Sequence, residues 1–306
     1  MASAVISRFA PSPTGRLHLG HAFSALAAHD LARSAGGAAG GAGGGAGGGR
    51  FLLRIEDIDR TRCRPEHVAG IVEDLRWLGL DWDGDVVFQS QRLPLYAAAL
   101  ERLKAAGLAY PCFCTRARIA AEIAASATAP HGPEGPRDRM AGPDGGPLYP
   151  GLCRALDDAG RAARIAAGEA HAWRLDMARA TARAGPLAWN DARAGTVAAE
   201  PGIHGDVVLA RKDAPTSYHL AVTVDDAAQG VTDVVRGADL FAATHVHRLL
   251  QALLDLPTPA YHHHALLTGA NGERLAKRAG SPTLAAMRAD GVDPAALVAR
   301  LRAAAA

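Results

Sequence analysis

Arg8-Phe9-Ala10-Pro11-Ser12-Pro13-Thr14-Gly15-Arg16-Leu17-His18-Leu19-Gly20-His21 is the stretch that decides how this chain folds. Val5 to Ala10 is apolar and β-prone, which predicts a short strand. Pro11 to Gly20 is rich in Pro, Gly, Ser and Thr and predicts a loop. From about His21, Phe23, Leu26, Ala27 and Leu31 fall on one face of a helix. Strand, loop and helix in that order put His18, Gly20 and His21 beside a helix N-terminus at the carboxyl end of a strand. Open parallel sheets bind ligands there, because the helix amides and dipole favour anions. Two imidazoles around a Gly that admits close backbone approach can donate hydrogen bonds to phosphate oxygens. Taken alone, the pair also reads as two ordinary turn histidines.

The pattern continues outward. Phe51 to Ile55 reads as a second strand. Pro65 suits the first turn of a helix carrying Val68, Ile71, Val72, Leu75 and Leu78, which stops at Gly79. Val86 to Phe88 is a short strand, and Leu93 to Ala106 a helix that stops at Gly107. Such alternation predicts a parallel α/β sheet. Further on, Ala172 to Leu175, Asp206 to Ala210, Tyr218 to Val224 and Val231 to Val235 are β-prone, whereas Thr244 to Leu254 looks helical. Gly36 to Gly49 is almost pure Gly and Ala, and predicts a flexible loop rather than a phosphate cradle, since no Lys-Ser/Thr follows it.

A second cationic motif lies near the far end: Asn271-Gly272-Glu273-Arg274-Leu275-Ala276-Lys277-Arg278. The chain has 306 residues, 49 % hydrophobic and 21 % charged, with a net charge of +2. That is ordinary globular composition, and the near-neutral charge neither demands nor excludes nucleic acid. Lysine occurs only as Lys104, Lys212 and Lys277, which makes Lys277 more informative than a lysine in a solvated basic turn. A compact ammonium suits the charge that builds on an α-phosphate and a departing pyrophosphate. No apolar run is long enough for a membrane helix, and the start lacks the pattern of a signal peptide.

Together, the His18–His21 and Arg274–Arg278 motifs resemble the HIGH and KMSKS signatures of the class I aminoacyl-tRNA synthetases. The likeness extends through Arg8 to Gly15, Arg54-Ile55-Glu56-Asp57-Ile58-Asp59, Tyr218 to Asp226 and Val235 to Leu240, all similar to the glutamyl/glutaminyl branch. The resemblance implies a Rossmann-type α/β catalytic domain that activates glutamate with ATP and Mg²⁺. It implies glutamate contacts at Arg8, Ala10, Ser12, Glu56, Tyr218 and Arg236. It also implies ATP contacts at His18, Gly20, His21 and Lys277, with His18, His21 and Lys277 catalytic. The chemistry is coherent. Arg8 and Arg236 can bind carboxylate, Glu56 can pair with the α-ammonium, and Tyr218 can shape the pocket and donate its hydroxyl. The second signature departs from the family, with Arg274 for the first lysine and Ala276 for the serine.

Three of the four cysteines cluster in sequence as Cys112, Cys114 and Cys153, while Cys63 stands apart. Away from an oxidising compartment this spacing suggests a metal site more than a disulfide framework. Three thiolates and one further ligand make a tetrahedral zinc site, with the fourth ligand open between water and His131 on spacing alone. Here the chain resembles the glutamyl-queuosine tRNA(Asp) synthetase family, whose Cys-x-Cys…Tyr-x-x-x-Cys pattern assigns the fourth place to Tyr149. The zinc would be single and structural. His262-His263-His264 is not read as a metal site, because strand neighbours face opposite ways; a structural or nucleotide-flanking role is expected.

The chain ends 28 residues after Arg278, so an anticodon-binding domain like that of glutamyl-tRNA synthetases is not expected. The division anticipated is a first catalytic half over 1–110, with a Gly/Ala loop over 35–50; an inserted acceptor and zinc lobe over 111–195; and a second catalytic half over 196–306. The expected activity is tRNA-independent formation of glutamyl-adenylate and transfer of glutamate to the queuosine base in the anticodon of tRNA(Asp). A synthetase fragment charging an acceptor end, or an inactive RNA-binding module, are the alternatives. The expected partners are ATP, L-glutamate and queuosine-bearing tRNA(Asp), with a monomeric, cytoplasmic protein and no membrane. Arg174, Arg179, Arg183 and Arg193 are available to an RNA.

Overall fold

The computed structural model describes residues 4–34, 48–59, 61–128, 141–143, 145–267 and 282–304. The predicted first loop joins strand β1 (Ile6–Phe9) to helix α1 (Leu19–Ser34). Strand β2 (Arg50–Ile55) runs parallel to β1 with Ile6 opposite Arg50 and Phe9 opposite Leu53, and β3 (Val87–Phe88) runs parallel to β2. Helix α2 (Pro65–Trp77) starts on its proline, and Gly79 follows it at φ 74°. Helix α3 (Leu93–Ala105) ends in the same way before Gly107 at φ 67°. Positive φ is nearly free for glycine and strained for other residues, so both stops were legible as Gly.

A second set of strands completes the parallel sheet. Strands β9 (Asp233–Gly237) and β10 (Ala260–His264) pair in parallel, and β10 pairs in parallel with β6 (Ala188–Asp191), which forms a hairpin with β7 (Gly195–Ala198). The chain just before β9 joins β1. Thr232 N donates to Ile6 O at 2.9 Å, and Ile6 N donates to Thr232 Oγ1 at 2.8 Å. The strands therefore lie side by side as β3-β2-β1, then β9-β10-β6-β7. Separately, β4 (Ala109–Cys112), β5 (Ala172–Leu175) and β8 (Val208–Ala210) form an antiparallel sheet, and the same part of the chain holds helices α4 (Arg116–Thr128), α5 (Asp158–Ala166) and α6 (Met177–Ala184).

Phe23, Leu26, Phe51, Leu53, Ile71 and Leu75 close the core between α1, β2 and α2, with Leu284 and Leu301 from helices α9 (Leu284–Ala289) and α10 (Pro294–Ala303). Each such side chain contributes about 1.5–3 kcal/mol on full burial. A second core joins Leu100, Leu103, Leu175 and Leu209 to helix α8 (Ala243–Leu253) through Val246 and Leu249.

One expectation fails. Tyr218 to Val224, read as β-prone, forms helix α7 (Tyr218–Ala228). Ser217 caps it by accepting from Leu220 N, and Leu220, Ala221 and Val222 are buried. Burial against α3 and α8 overrides the β-branched preference of Val222, Thr223 and Val224, since propensity is a weak prior beside tertiary packing.

Candidate functional site

A cavity of about 350 Å³ opens at the carboxyl ends of β1, β2 and β9. Arg8 on β1, Glu56 just after β2 and Arg236 on β9 line it, so three parallel strands deliver the two cations and one carboxylate singled out above. Ala10, Ser12, His18, Gly20, His21 and Tyr218 line it too. Lys277 lies outside the described residues, as do Arg274, Arg278 and His131. The flanks of that segment are described. Leu266 and Leu267 line the cavity, Thr283 bridges to His18, and Leu284 N donates to Leu17 O at 2.9 Å.

The two histidines of the first motif are fixed by the helix start. His18 Nδ1 accepts from Gly20 N at 3.2 Å, and His21 Nδ1 accepts from His18 N at 3.3 Å. Each neutral ring then carries its proton on Nε2, which makes it a donor suited to an anion. The rings stand 3.9 Å apart.

Arg8 is anchored from behind. Its Nε donates to Asp226 Oδ1 at 2.9 Å and its Nη1 to Val235 O at 3.4 Å. The same Asp226 oxygen accepts from Arg54 Nη2 at 2.5 Å, and Arg54 is fully buried. Burial works against the Asp226 charge, but Arg8 and Arg54 hold its carboxyl below the usual range. Next to it, Asp225 accepts from Gln89 Nε2, Arg92 Nε and Tyr96 Oη at 2.7 to 2.8 Å. Two carboxylates in the last turn of α7 oppose its dipole, and these cations and hydroxyls offset the opposition.

Arg236 has a different setting. It is 5 % exposed, and its hydrogen-bond partners are all neutral: His263 Nε2 at 3.1 Å, Thr244 Oγ1 at 2.6 Å, His247 Nδ1 at 3.2 Å and the Tyr218 hydroxyl at 3.4 Å. Burial and then the guanidinium push His247 well below the ordinary histidine value, and push His263 down to about 4. Among the described residues no carboxylate forms an ion pair with Arg236. A buried cation without a counter-ion is costly, and a carboxylate ligand would relieve that cost.

Glu56 is the complement. Burial pushes its carboxyl up to about 7, against the pull of Arg54 and Arg8 and with Asp226 and Asp225 adding to the rise. A ligand ammonium would restore its charge. Tyr218, also desolvated, has its hydroxyl raised above the usual value. The cavity thus presents cations for two carboxylates and a carboxylate for one ammonium.

The cysteines converge as expected. Metal-ligating atoms of Cys112, Cys114 and Cys153 lie within 4.8 Å of one another, all buried. Cys114 Sγ stands 3.5 Å from Cys153 Sγ and 3.7 Å from the Tyr149 hydroxyl, which accepts from Cys153 N at 2.8 Å. Thiolates at about 2.3 Å around a tetrahedral ion stand about 3.8 Å apart, so the set fits a metal ion. Burial pushes the Cys114 thiol up to about 11, whereas the Phe113 amide and the surrounding hydroxyl and thiols bring Cys153 down despite its burial. Cys63 is remote from them and half-buried.

The three consecutive histidines take three separate partners: His262 pairs with Asp233, His263 with Asp191, and His264 with Ser24. Only His264 lines the cavity. A second cavity of about 860 Å³ is lined by Arg116, Arg174, Arg211, Lys212, His204 and His219, among others. Tyr218 lines both cavities.

Residues 4–305 match the model for the catalytic domain of class I tRNA synthetases (E and Q). The chain belongs to the class I glutamyl/glutaminyl tRNA synthetase family. It is 50 % identical over 298 residues to a Glutamyl-Q tRNA(Asp) synthetase of Rhodobacter capsulatus, covering 95 % of this chain and 97 % of that protein. Proteins of the same name from Symbiobacterium thermophilum and Nocardia farcinica are 45 % and 46 % identical, each over 96 % of this chain and 84 % and 82 % of their own length. A solved glutamate tRNA ligase of Elizabethkingia meningosepticum, in complex with its amino acid, superposes with a TM-score of 0.75 at 25 % identity over 98 % of this chain. The glutamate-tRNA synthetase of Elizabethkingia anophelis gives 0.76 at 25 % identity over 98 % of this chain. The chain spans 60 % and 61 % of those two ligases. No helix among the described residues is long and apolar enough to cross a membrane.

The motif residues that line the cavity were legible in the sequence, but their supports were not. Asp226 and Arg54 fall inside the stretches that carry the resemblance, without a role of their own. Thr244, His247 and Asp191 carried no signal, and His263 stood out only within the histidine triplet, as structural or nucleotide-flanking. An adjacent acidic pair in an apolar run, Asp225-Asp226, was the one clue that arginines must converge there.

Proposed function

We propose that this protein activates L-glutamate with ATP, without needing tRNA, and transfers the glutamyl group to the queuosine base in the anticodon of tRNA(Asp). The observation that carries the reading is the pairing of Arg8 and Arg236 with Glu56 around one small cavity. Glutamate has the complementary charges. Arg236 would take one carboxylate, as its neutral surroundings leave its charge uncompensated, and Glu56 would take the ammonium. Arg8, braced by Asp226, would orient the other carboxylate, with Ala10, Ser12 and Tyr218 bounding the site.

In the activation step a carboxylate oxygen attacks the α-phosphorus and the bond to pyrophosphate breaks. His18 and His21, as Nε2 donors beside the start of α1, would stabilise charge on the phosphate oxygens together with the backbone at Gly20. Lys277 is assigned the departing pyrophosphate from its motif. Mg²⁺ would enter with ATP, since it keeps its waters and rides on phosphates. Cys112, Cys114, Tyr149 and Cys153 would hold one structural zinc that cross-links an inserted lobe over 111–195, between catalytic halves 1–110 and 196–306.

Transfer needs an RNA nucleophile beside the adenylate. The larger, basic cavity that shares Tyr218 with the first supports an approach from that side, because splayed bases are held by cationic grooves. The choice of tRNA(Asp) rests on the likeness to the Glutamyl-Q tRNA(Asp) synthetases of Rhodobacter capsulatus, Symbiobacterium thermophilum and Nocardia farcinica. The test is radiolabelled glutamate with ATP and tRNA(Asp), with and without queuosine. Label on the queuosine-bearing tRNA alone supports the assignment, while label on unmodified tRNA(Glu) instead overturns it.

A further inference from the structure

Arg236 is one end of a buried hydrogen-bonded chain that leaves the cavity and runs into the neighbouring hairpin. Its Nε donates to His263 Nε2 at 3.1 Å, and the opposite ring nitrogen, Nδ1, lies 2.7 Å from Asp191 Oδ2. A guanidinium has only donors, so His263 Nε2 must accept and its proton must sit on Nδ1, facing the carboxylate. Asp191 holds that arrangement rigidly. Oδ1 accepts from Arg193 N at 3.0 Å and Ala194 N at 2.9 Å, and Oδ2 also accepts from His263 N at 3.3 Å. Four donors converge on one carboxylate, which is 5 % exposed, as is Arg236. Burial opposes the charge, yet the two amides and the ring keep the Asp191 carboxyl below its usual range. The ring is also clamped, stacked on Tyr261 with centroids 5.9 Å apart and met edge-on by Phe241 at 5.0 Å. Neither Asp191 nor His263 lines the cavity.

We propose that Asp191 and His263 are positioning residues that aim Arg236 at the substrate carboxylate by presenting one fixed acceptor nitrogen to its Nε. The inference rests on the reading of Arg236 as a glutamate-binding residue. It gives the β6–β7 hairpin a role in amino-acid affinity, although no residue of the hairpin lines the cavity. An asparagine at 191 must turn its NH₂ either to His263, which moves the ring proton to face Arg236, or to the two backbone amides. Either choice sets donor against donor.

The test is ATP–pyrophosphate exchange with full-length variants at His263. His263→Leu keeps volume and removes the acceptor; it is expected to raise KM for glutamate about tenfold or more, with KM for ATP changed less than about threefold. His263→Gln can accept from Arg236 through Oε1 and donate to Asp191 through its amide, and is expected to return KM for glutamate to within about threefold of the parent. Nitrogen-15 NMR of the parent is expected to show the His263 proton on Nδ1, and Asp191→Asn, where it folds, to move it to Nε2. Equal glutamate KM in the Leu and Gln variants, or a rise in both KM values together with falling Tm, overturns the positioning role. If Arg236→Leu itself leaves glutamate KM unchanged, the inference falls together with the site reading; if only the His263 variants are silent, the site reading stands and the relay falls.

Discussion

Arg8 Nε donates to Asp226 Oδ1 at 2.9 Å, a contact that spans 218 positions of the chain and ties the first strand to the end of a distant helix. Arg54 shares the same oxygen. The cavity-lining Arg8 is therefore held by a carboxylate that another arginine already half-neutralises. Replacing Asp226 with Ala strands the buried Arg8 and leaves the buried Arg54 only its longer pair with Asp225 at 3.9 Å. The expected cost is about 3–5 kcal/mol, read as a lower denaturant midpoint, with glutamate-dependent exchange lost in whatever remains folded. Unchanged stability would show that water solvates these arginines after all.

Glu56 should give the activity a visible pH dependence. Burial raises its carboxyl from 4.5 to about 7, so it meets an ammonium as a carboxylate only above that pH. The kcat/KM for glutamate is expected to climb about tenfold per pH unit below about 7 and to level off above it. Glu56→Gln should be low and flat across the same range, and a parallel slope in that variant would assign the pH dependence elsewhere.

The same shift has a sign for stability. A carboxyl raised in the folded state contributes stability that is fully present below 4.5 and is lost as pH rises through about 7. Ligand-free Glu56→Gln should therefore match the parent near pH 4 and exceed it at pH 8. After discounting for partial exposure the gain is about 1–2 kcal/mol, measurable by urea unfolding.

Arg236 carries a comparable burden. Arg236→Leu should lower kcat/KM for glutamate by about 100-fold, whereas the melting temperature should hold or rise because an uncompensated buried charge is gone. Arg236→Lys should recover little, since a point charge cannot engage His263, Thr244 and His247 together. Full activity in the lysine variant would mean that charge alone matters there.

The thiol cluster predicts about one zinc per chain by elemental analysis, lost with Cys153→Ser. Removing the ion with a chelator should lower the melting temperature and expose the segment around Cys112 and Cys114 to protease, without changing the affinity for glutamate. A metal-free protein of undiminished stability would leave the cysteines as packing residues.

Much of this was written locally. Gly79 and Gly107 marked helix ends because left-handed backbone suits glycine, and Pro65 marked a helix start. The cysteines could be paired with Tyr149 only through the resemblance, yet their convergence matched the reading. Tyr218 to Val224 was misread, because Val and Thr prefer strands in isolation and a Ser217 cap with a buried face overrules them.

The chain alone determined the chemistry on offer: two histidines around a glycine, arginines and a glutamate at strand ends, and three thiols at Cys112, Cys114 and Cys153. Residue type and local spacing are enough for that, since each motif spans a few positions. Only the tertiary structure decided which charges are satisfied. Asp226 reaches Arg8 and Arg54 across most of the chain, while Arg236 is buried among neutral partners. Desolvation and pairing are properties of a folded interior, where the low dielectric magnifies every missing counter-charge, and no run of letters records them.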